Sequence, residues 1–204
     1  MDNNNELKSG DNTEQTGITD NSVILTDSEI SNVDTAGGAF VVGHYHAPNP
    51  TKIEQLILAG KALAENSPEY LDLIEDLNSY HKPRPGRPII GLEKKLTNAK
   101  MDVLVEDATY LKGRAIKKIA RYQLQNYKAA LNNYIYGKIN EIFNSEILPL
   151  IKAGASPHQV NQYISTIIIK PLADEVCPAD PTINDDTIRG MLYILTGNCH
   201  LTWS

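Results

Sequence analysis

The sequence has little cysteine, phenylalanine and tryptophan, and it has no long apolar run. Of its 204 residues, two are cysteine, two phenylalanine and one tryptophan. Two isolated cysteines, Cys177 and Cys199, do not make a disulfide framework, and we expect both thiols to be reduced. No stretch approaches the roughly twenty apolar residues that a membrane-spanning helix needs, and residues 1–9 lack the pattern of a secretory signal. The chain is therefore predicted to be cytoplasmic and not to associate with a membrane.

Motifs of catalysis are also missing. The Gly37-Gly38 pair lacks the Lys-Ser/Thr that a phosphate-binding loop requires. Cys199 and His200 are sequence neighbours, and their side chains diverge on any regular element, so they do not form a nucleophile and its base. The sequence predicts a protein that is not an enzyme, with no catalytic residue and no cofactor.

A zinc site is the one metal centre that the sequence suggests. His44 and His46 would share one face of a strand, and Cys199 and His200 could complete the ligand set from the other end of the chain. The alternative is that these histidines are packed or exposed to solvent. Because the spacing is not that of a zinc module, we predict no metal.

Composition divides the chain near residue 47. Residues 1–46 are rich in Asn, Asp, Ser, Thr and Gly, with short β-branched pieces between turn signals. They contain too little apolar surface for a core, so we expect disorder or a β-prone tail that is stabilised by self-association or by a partner. Residues 47–204 are predicted to form an α-helical interaction domain.

Helix signals recur throughout this second part. Thr51 and Glu54 form a capping box, and Ser67 followed by proline is a second start. A helix is predicted from Leu92, and apolar residues at three- and four-residue steps predict one long helix over residues 113–152, broken near Gly137 or kinked before Pro149. The fold class is mostly α: a bundle of about five to seven helices preceded by a short polar β-prone segment.

Later signals complete the bundle. Ser156 and Pro157 begin a helix that Pro171 is predicted to end. Asp185 or Asp186 is predicted to cap a final helix. That helix stops at Gly197-Asn198, where a left-handed residue has little cost.

Charge is unevenly distributed. Residues 1–36 carry eight acidic side chains against one lysine, whereas residues 82–128 carry twelve basic side chains against four acidic ones. Seven of the basic residues are candidate contacts to nucleic acid. They are Arg84, Arg87, Lys112, Arg114, Lys117, Lys118 and Arg121. The alternatives are a solvated helix face and a surface for an acidic protein partner.

The last residues are dense in distinctive side chains. We expect the tail to fold back, so that Cys199 and Trp203 pack while His200 hydrogen-bonds a helix end. Residues 191–203, together with 91–96, 147–151 and 168–172, resemble the helical domains of bacterial ABC three-component systems. These systems are related to Lamassu-type anti-phage defence. The resemblance extends over about residues 51–204.

The resemblance implies a role in a complex. In such systems an SMC-like ATPase senses aberrant DNA and releases an effector, and small helical domains tie the effector to the ATPase. We therefore expect a non-catalytic adaptor, either a free-standing subunit or part of a larger effector, that binds these two proteins. Tyr193, Asn198, His200 and Trp203 are the predicted partner contacts, and the tail is a candidate for homo-oligomerisation. A nucleic-acid-binding accessory subunit is the alternative, with DNA bound within the complex.

Overall fold

The computed structural model describes residues 49–65, 67–122 and 125–203, and over these residues the chain forms seven helices and no strand. This confirms the predicted helical bundle. The helices are α1 (Lys52–Ala62), α2 (Pro68–His81), α3 (Leu92–Asn98), α4 (Val105–Tyr122, after a 3-10 turn at Asp102–Leu104), α5 (Asn126–Ile142, Phe143–Ile147 and Leu148–Lys152), α6 (Pro157–Tyr163, Ile164–Ile169 and Lys170–Val176) and α7 (Asp185–Gly197). The predicted β-prone tail of residues 1–46 lies outside the described residues.

Side-chain caps begin four of the helices. Thr51 and Ser156 each form a complete capping box, and Ser67 accepts from the backbone amide of Tyr70. These starts were predicted from the sequence. The cap of α7 was not: Asn184 is the capping residue, and Asp185 and Asp186 lie in the first turn. Their charges there still favour the positive end of the helix dipole.

The predicted single helix over residues 113–152 is wrong, because α4 ends at Tyr122 and α5 begins at Asn126. Gln125 is extended, with φ −97° and ψ 109°. The Asn126 side chain donates to the Leu63 carbonyl at 2.9 Å and fixes the start of α5. No glycine or proline marks the break, and apolar spacing alone does not register an interruption of a few residues. Gly137, the predicted break, lies inside α5.

Two prolines lie inside continuous helices. Each of Pro149 and Pro171 follows a wide π-helical turn, at Phe143–Ile147 and Ile164–Ile169 respectively. The amide after each wide turn bonds the carbonyl five residues earlier. The prediction that Pro171 ends its helix is therefore wrong. A wide turn is a known local adjustment of the helical hydrogen-bond ladder, and it accommodates a ring that lacks an amide and crowds the preceding turn.

The last helix, α7, occupies the centre of the bundle. Ten of its 13 residues are buried. It packs against α2, α3, α4, α5 and α6, and its two exposed residues, Asp185 and Asp186, lie in the first turn. Five of the other six helices therefore share α7 as a partner, whereas α1 packs on α5.

The tightest approach in this packing is between α4 and α7. A Cβ atom built on Gly190 would lie 2.5 Å from the Leu111 carbonyl oxygen and 2.6 Å from the Ala115 Cβ. The buried face of α4 consists of Ala108, Ala115 and Ile119. Ile116 belongs to the apolar pattern from which the long helix over residues 113–152 was predicted, and it is 42% exposed. Small residues face inward because the two backbones approach so closely.

A buried ion pair fixes the loop that leads into α7. Lys128 on α5 binds Asp180, and the two side chains are 4% and 5% exposed. Asp180 also accepts from the amide and the hydroxyl of Thr182, at 3.1 and 2.7 Å. Burial alone would raise the pKa of Asp180, but the bonds from Lys128 and Thr182 outweigh it and hold this pKa below its ordinary value. The carboxylate therefore stays ionised inside the fold.

The approach at Gly190 gives a direct test of the packing. Gly190→Ala is expected to lower the free energy of unfolding by about 2 kcal/mol, because a methyl group there overlaps α4. Gly113→Ala is the matched control, since no atom lies within 4 Å of a Cβ at that position of α4. There the better helix propensity of alanine should raise stability by up to about 1 kcal/mol. Chemical denaturation measures both, and equal effects at the two sites would contradict the packing.

Candidate interaction surfaces

The chain leaves α7 through residues 196–203, here called the C-terminal turn. The His200 amide bonds the Leu195 carbonyl at 2.9 Å, and the Cys199 amide bonds the Thr196 carbonyl at 3.2 Å. This is the Schellman arrangement of a helix end. Its left-handed residue is Cys199, with φ +64°, and not Asn198, with φ −88°. The predicted left-handed position is thus one residue too early, and a non-glycine residue holds a conformation that costs about 1 kcal/mol.

Two cations bind the carbonyls of the C-terminal turn. The Arg87 guanidinium donates to the Cys199 and His200 carbonyls at 3.0 and 2.9 Å. Lys95, which is 7% exposed, donates to the Thr196 carbonyl at 2.6 Å and the Leu201 carbonyl at 3.3 Å. Charged donors suit these oxygens, since a helix C-terminus carries partial negative charge. They also offset the strain at Cys199.

The C-terminal turn in turn completes the end of α2. The Asn198 amide group donates to the Tyr80 carbonyl at 2.9 Å. Nε2 of His200 donates to the Lys82 carbonyl at 3.0 Å, as expected for a side chain that bonds a helix end. Each helix end therefore supplies donors or acceptors that the other lacks.

The predicted partner contacts lie mostly inside the domain. Tyr193 and Trp203 are each 2% exposed, and His200 is 8% exposed. The indole of Trp203 donates to the Thr196 hydroxyl at 3.1 Å, and its ring packs against Phe143. Packing of Cys199 and Trp203 was expected from the sequence. The assignment of these side chains to partner binding stays a prediction. In the structure, they make contacts inside the domain.

The seven predicted nucleic-acid contacts do not form one surface. Arg84 and Arg87 lie in the segment between α2 and α3. This segment binds the C-terminal turn through the Arg84 amide and the Arg87 side chain. The Lys112 amine would lie 2.4 Å from a Cβ built on Gly197, which places it at the same end of α7. These three therefore lie at the C-terminal end of α7, where one nitrogen of the Arg87 guanidinium donates to two carbonyls.

The other four line one cleft at the opposite end of α7. Arg114, Lys117, Lys118 and Arg121 share this cleft of about 300 Å³ with Tyr122, Thr187 and Asp186. Arg114 pairs with Asp186 at 3.2 Å, with both side chains 55% exposed. The Lys118 amine donates to the Thr187 hydroxyl at 3.0 Å. Nucleic-acid binding stays a prediction, and only these four of the seven predicted residues share one surface.

Two buried lysines have structural roles that were not predicted from the sequence. Lys95 and Lys128 are both buried and both bind oxygen atoms in the interior. Within the sequence each resembles the neighbouring exposed lysines. One signal was available for Lys95, because it stands one position before the buried Leu96 on a short helix.

Cys199 and His200, which were weighed as zinc ligands in the sequence, bond different backbone carbonyls. The thiol of Cys199 lies 3.3 Å from the Pro88 carbonyl, whereas the His200 ring points to Lys82. Within the part of the chain that the structure describes, no three His, Cys, Asp or Glu side chains are grouped as metal ligands. His44 and His46 lie outside that part.

Comparison with known families shows to which family the chain belongs. The family model of C-terminal domain 9 of the ABC-three component systems matches residues 91–203. This chain belongs to that family. No curated protein and no solved structure matches it. The resemblance seen in the sequence is thereby confirmed, and the chain carries a domain of a multi-component ABC system.

The family match is shorter than the resemblance, which extended from residue 51. It begins at Gly91 and so includes α3 to α7 and the C-terminal turn. Helices α1 and α2 precede it, yet α1 packs on α5 and α2 supplies the carbonyls that Asn198 and His200 bind. The structural domain is therefore larger than the family match.

None of the described helices combines the length and the apolar character that crossing a membrane requires.

The C-terminal turn predicts a strong effect of one lysine. Lys95→Met should lower the free energy of unfolding by about 3 kcal/mol, because two buried carbonyls lose a charged donor. Lys94→Met on the exposed side of the same helix is the control, with an expected change within about 0.5 kcal/mol. Urea denaturation compares the two, and a Lys95 variant as stable as the Lys94 variant would refute this role.

The two histidines near the C-terminal turn predict a pH dependence. Burial lowers the pKa of His81, and His200 lowers it further. Burial lowers the pKa of His200 below 6.5, although its bonds to backbone carbonyls partly oppose this. Because the unfolded histidines bind protons more readily than the folded ones, stability should fall as the pH drops below about 6.5.

Thermal melts across this range provide the measurement. The double variant His81→Gln, His200→Gln should show a flatter pH dependence than the natural chain. His158→Gln, at an exposed histidine, should leave the slope unchanged. A slope that persists in the double variant would assign the effect to other groups.

Proposed function

We propose that this chain is a non-catalytic adaptor of an ABC-three component anti-phage defence complex, in which it links an effector to an SMC-like ATPase. The observation that carries the proposal is the family match over residues 91–203. A domain of a three-component system has other components to meet. The proposal gives this domain the task of holding two of them together.

The chemistry of the C-terminal turn supports a non-catalytic role. Cys199, His200 and Lys95 are the side chains there that an enzyme could use. The His200 ring and the Lys95 amine bond backbone carbonyls, and the Cys199 thiol lies against one. Groups held in this way stabilise a fold, and a catalytic role would need them directed at a substrate. Their use in the fold favours a binding module over an enzyme.

The exposed apolar side chains offer partner contacts. Tyr110 is 62% exposed and Val103 is 78% exposed, and both project from the first part of α4 or the turn before it. The Arg114 guanidinium lies 5.6 Å from the centre of the Tyr110 ring. Tyrosine and arginine are enriched at protein interfaces. We place the ATPase or effector contact on this face of α4.

Affinity purification tests the proposal. The tagged full chain is expressed from cells that carry its native gene neighbourhood, and the co-purifying proteins are identified and quantified. An SMC-like ATPase at a fixed ratio is the expected result. Tyr110→Ala should reduce its recovery about tenfold, as for a central interface residue. Tyr163→Ala, at another exposed tyrosine on α6, is the matched control. A chain that purifies without the ATPase would overturn the adaptor role.

A further inference from the structure

The cleft at the N-terminal end of α7 has a positive charge of which the adaptor role uses only Arg114. Eight described residues line it, and four of them are cations from two successive turns of α4. Asp186 is the single carboxylate among those eight. The lining therefore carries a formal excess of three positive charges, concentrated on one concave surface. Such a surface raises the local concentration of anions.

Much of this positive charge has no protein counterpart among the described residues. Arg114 pairs with Asp186, and Lys118 bonds a neutral hydroxyl. Lys117 and Arg121 are exposed and form no ion pair with any residue that the structure describes. Burial lowers the pKa of Lys118, and the nearby Lys128 lowers it further. An anion in the cleft would relieve the repulsion between these cations.

The dimensions of the cleft favour a small ligand over a strand of nucleic acid. Residues 114–121 span about 10 Å along a helix, given a rise of about 1.5 Å per residue. A volume of about 300 Å³ is at the lower end of the range for small-molecule pockets. A strand of nucleic acid would need further cations beside the cleft. Arg87 and Lys112 are the candidates, and both lie at the other end of α7.

The cleft also contains an aromatic ring that suits the non-phosphate part of a nucleotide. Tyr122 supplies this ring. The Thr187 hydroxyl is already engaged, because it accepts from the Lys118 amine and donates to the Asn184 side chain at 2.7 Å. Arginine guanidinium groups bind phosphate oxygens through paired donors, and lysines add point charge. The phosphate and the ring of a nucleotide would thus each meet a matching side chain.

We propose that this cleft binds a phosphate-bearing small molecule of about nucleotide size, with the phosphate between Arg114, Lys117 and Arg121. The site goes beyond the adaptor role, and either can stand without the other. It would make the domain responsive to a soluble phosphorylated ligand while its partners bind the outer face of α4.

Isothermal titration of the full chain with ATP and, separately, with inorganic pyrophosphate tests the site. The double variant Lys117→Ala, Arg121→Ala removes two exposed charges and should weaken binding about tenfold or more. Lys152→Ala, Lys170→Ala is the matched control, because it removes the same charge from exposed lysines outside the cleft. Asp186→Asn should tighten binding several-fold, since it removes the carboxylate that repels the ligand. A merely structural role would not produce that gain.

The contrary results are equally definite. Absence of binding by both probes at about 5 mM would overturn the proposal. So would equal affinity in the cleft variant and the control. A mixed-sequence single-stranded DNA that competes with ATP and binds far more tightly would reassign the cleft to nucleic acid.

Discussion

The burial of most of one helix, including its C-terminal end, is the constraint on which the rest of this structure depends. α7 lies at the centre of the bundle, and the carbonyls of its last turn cannot all reach water. An unsatisfied buried carbonyl costs about 1–3 kcal/mol. Lys95 donates to the carbonyl of Thr196 in that last turn, and Lys95 and Arg87 donate to the carbonyls of Cys199, His200 and Leu201 just after it. The C-terminal turn thus satisfies the backbone where a largely buried helix ends.

This constraint explains why distinctive residues cluster at the end of the chain. Asn198 and His200 complete α2, and the Trp203 indole returns to Thr196. A segment with these side chains suggests a functional motif, and the resemblance to the ABC three-component family was recognised from it. In the structure, these residues serve the fold. The two surfaces that we propose for binding, the exposed face of α4 around Tyr110 and the basic cleft, adjoin each other at Arg114.

The helix starts could be predicted because they depend on local signals. The buried face of α4 and the roles of the basic residues could not, because they depend on tertiary packing. Capping boxes at Thr51 and Ser156 use neighbouring residues alone, so they are visible in the sequence. The inward face of α4 depends on the approach to Gly190, which is distant in sequence. The roles of the basic residues also depend on tertiary structure. These residues are concentrated in residues 82–128, yet some lie at the C-terminal end of α7 and others at its N-terminal end. Tertiary structure brings two carbonyl oxygens to Arg87, whereas Arg121 forms no ion pair with any residue that the structure describes.

Native-state hydrogen exchange tests this account most directly. The amides of Asn198, His200 and Leu201 bond carbonyls of Ile194 and Leu195, close to the end of the chain described. If the C-terminal turn closes the core, these amides should exchange as slowly as the buried amides in the middle of α7, through global unfolding. Rapid exchange by local fraying, with the middle of α7 still protected, would show that the helix end is held loosely and would contradict the account.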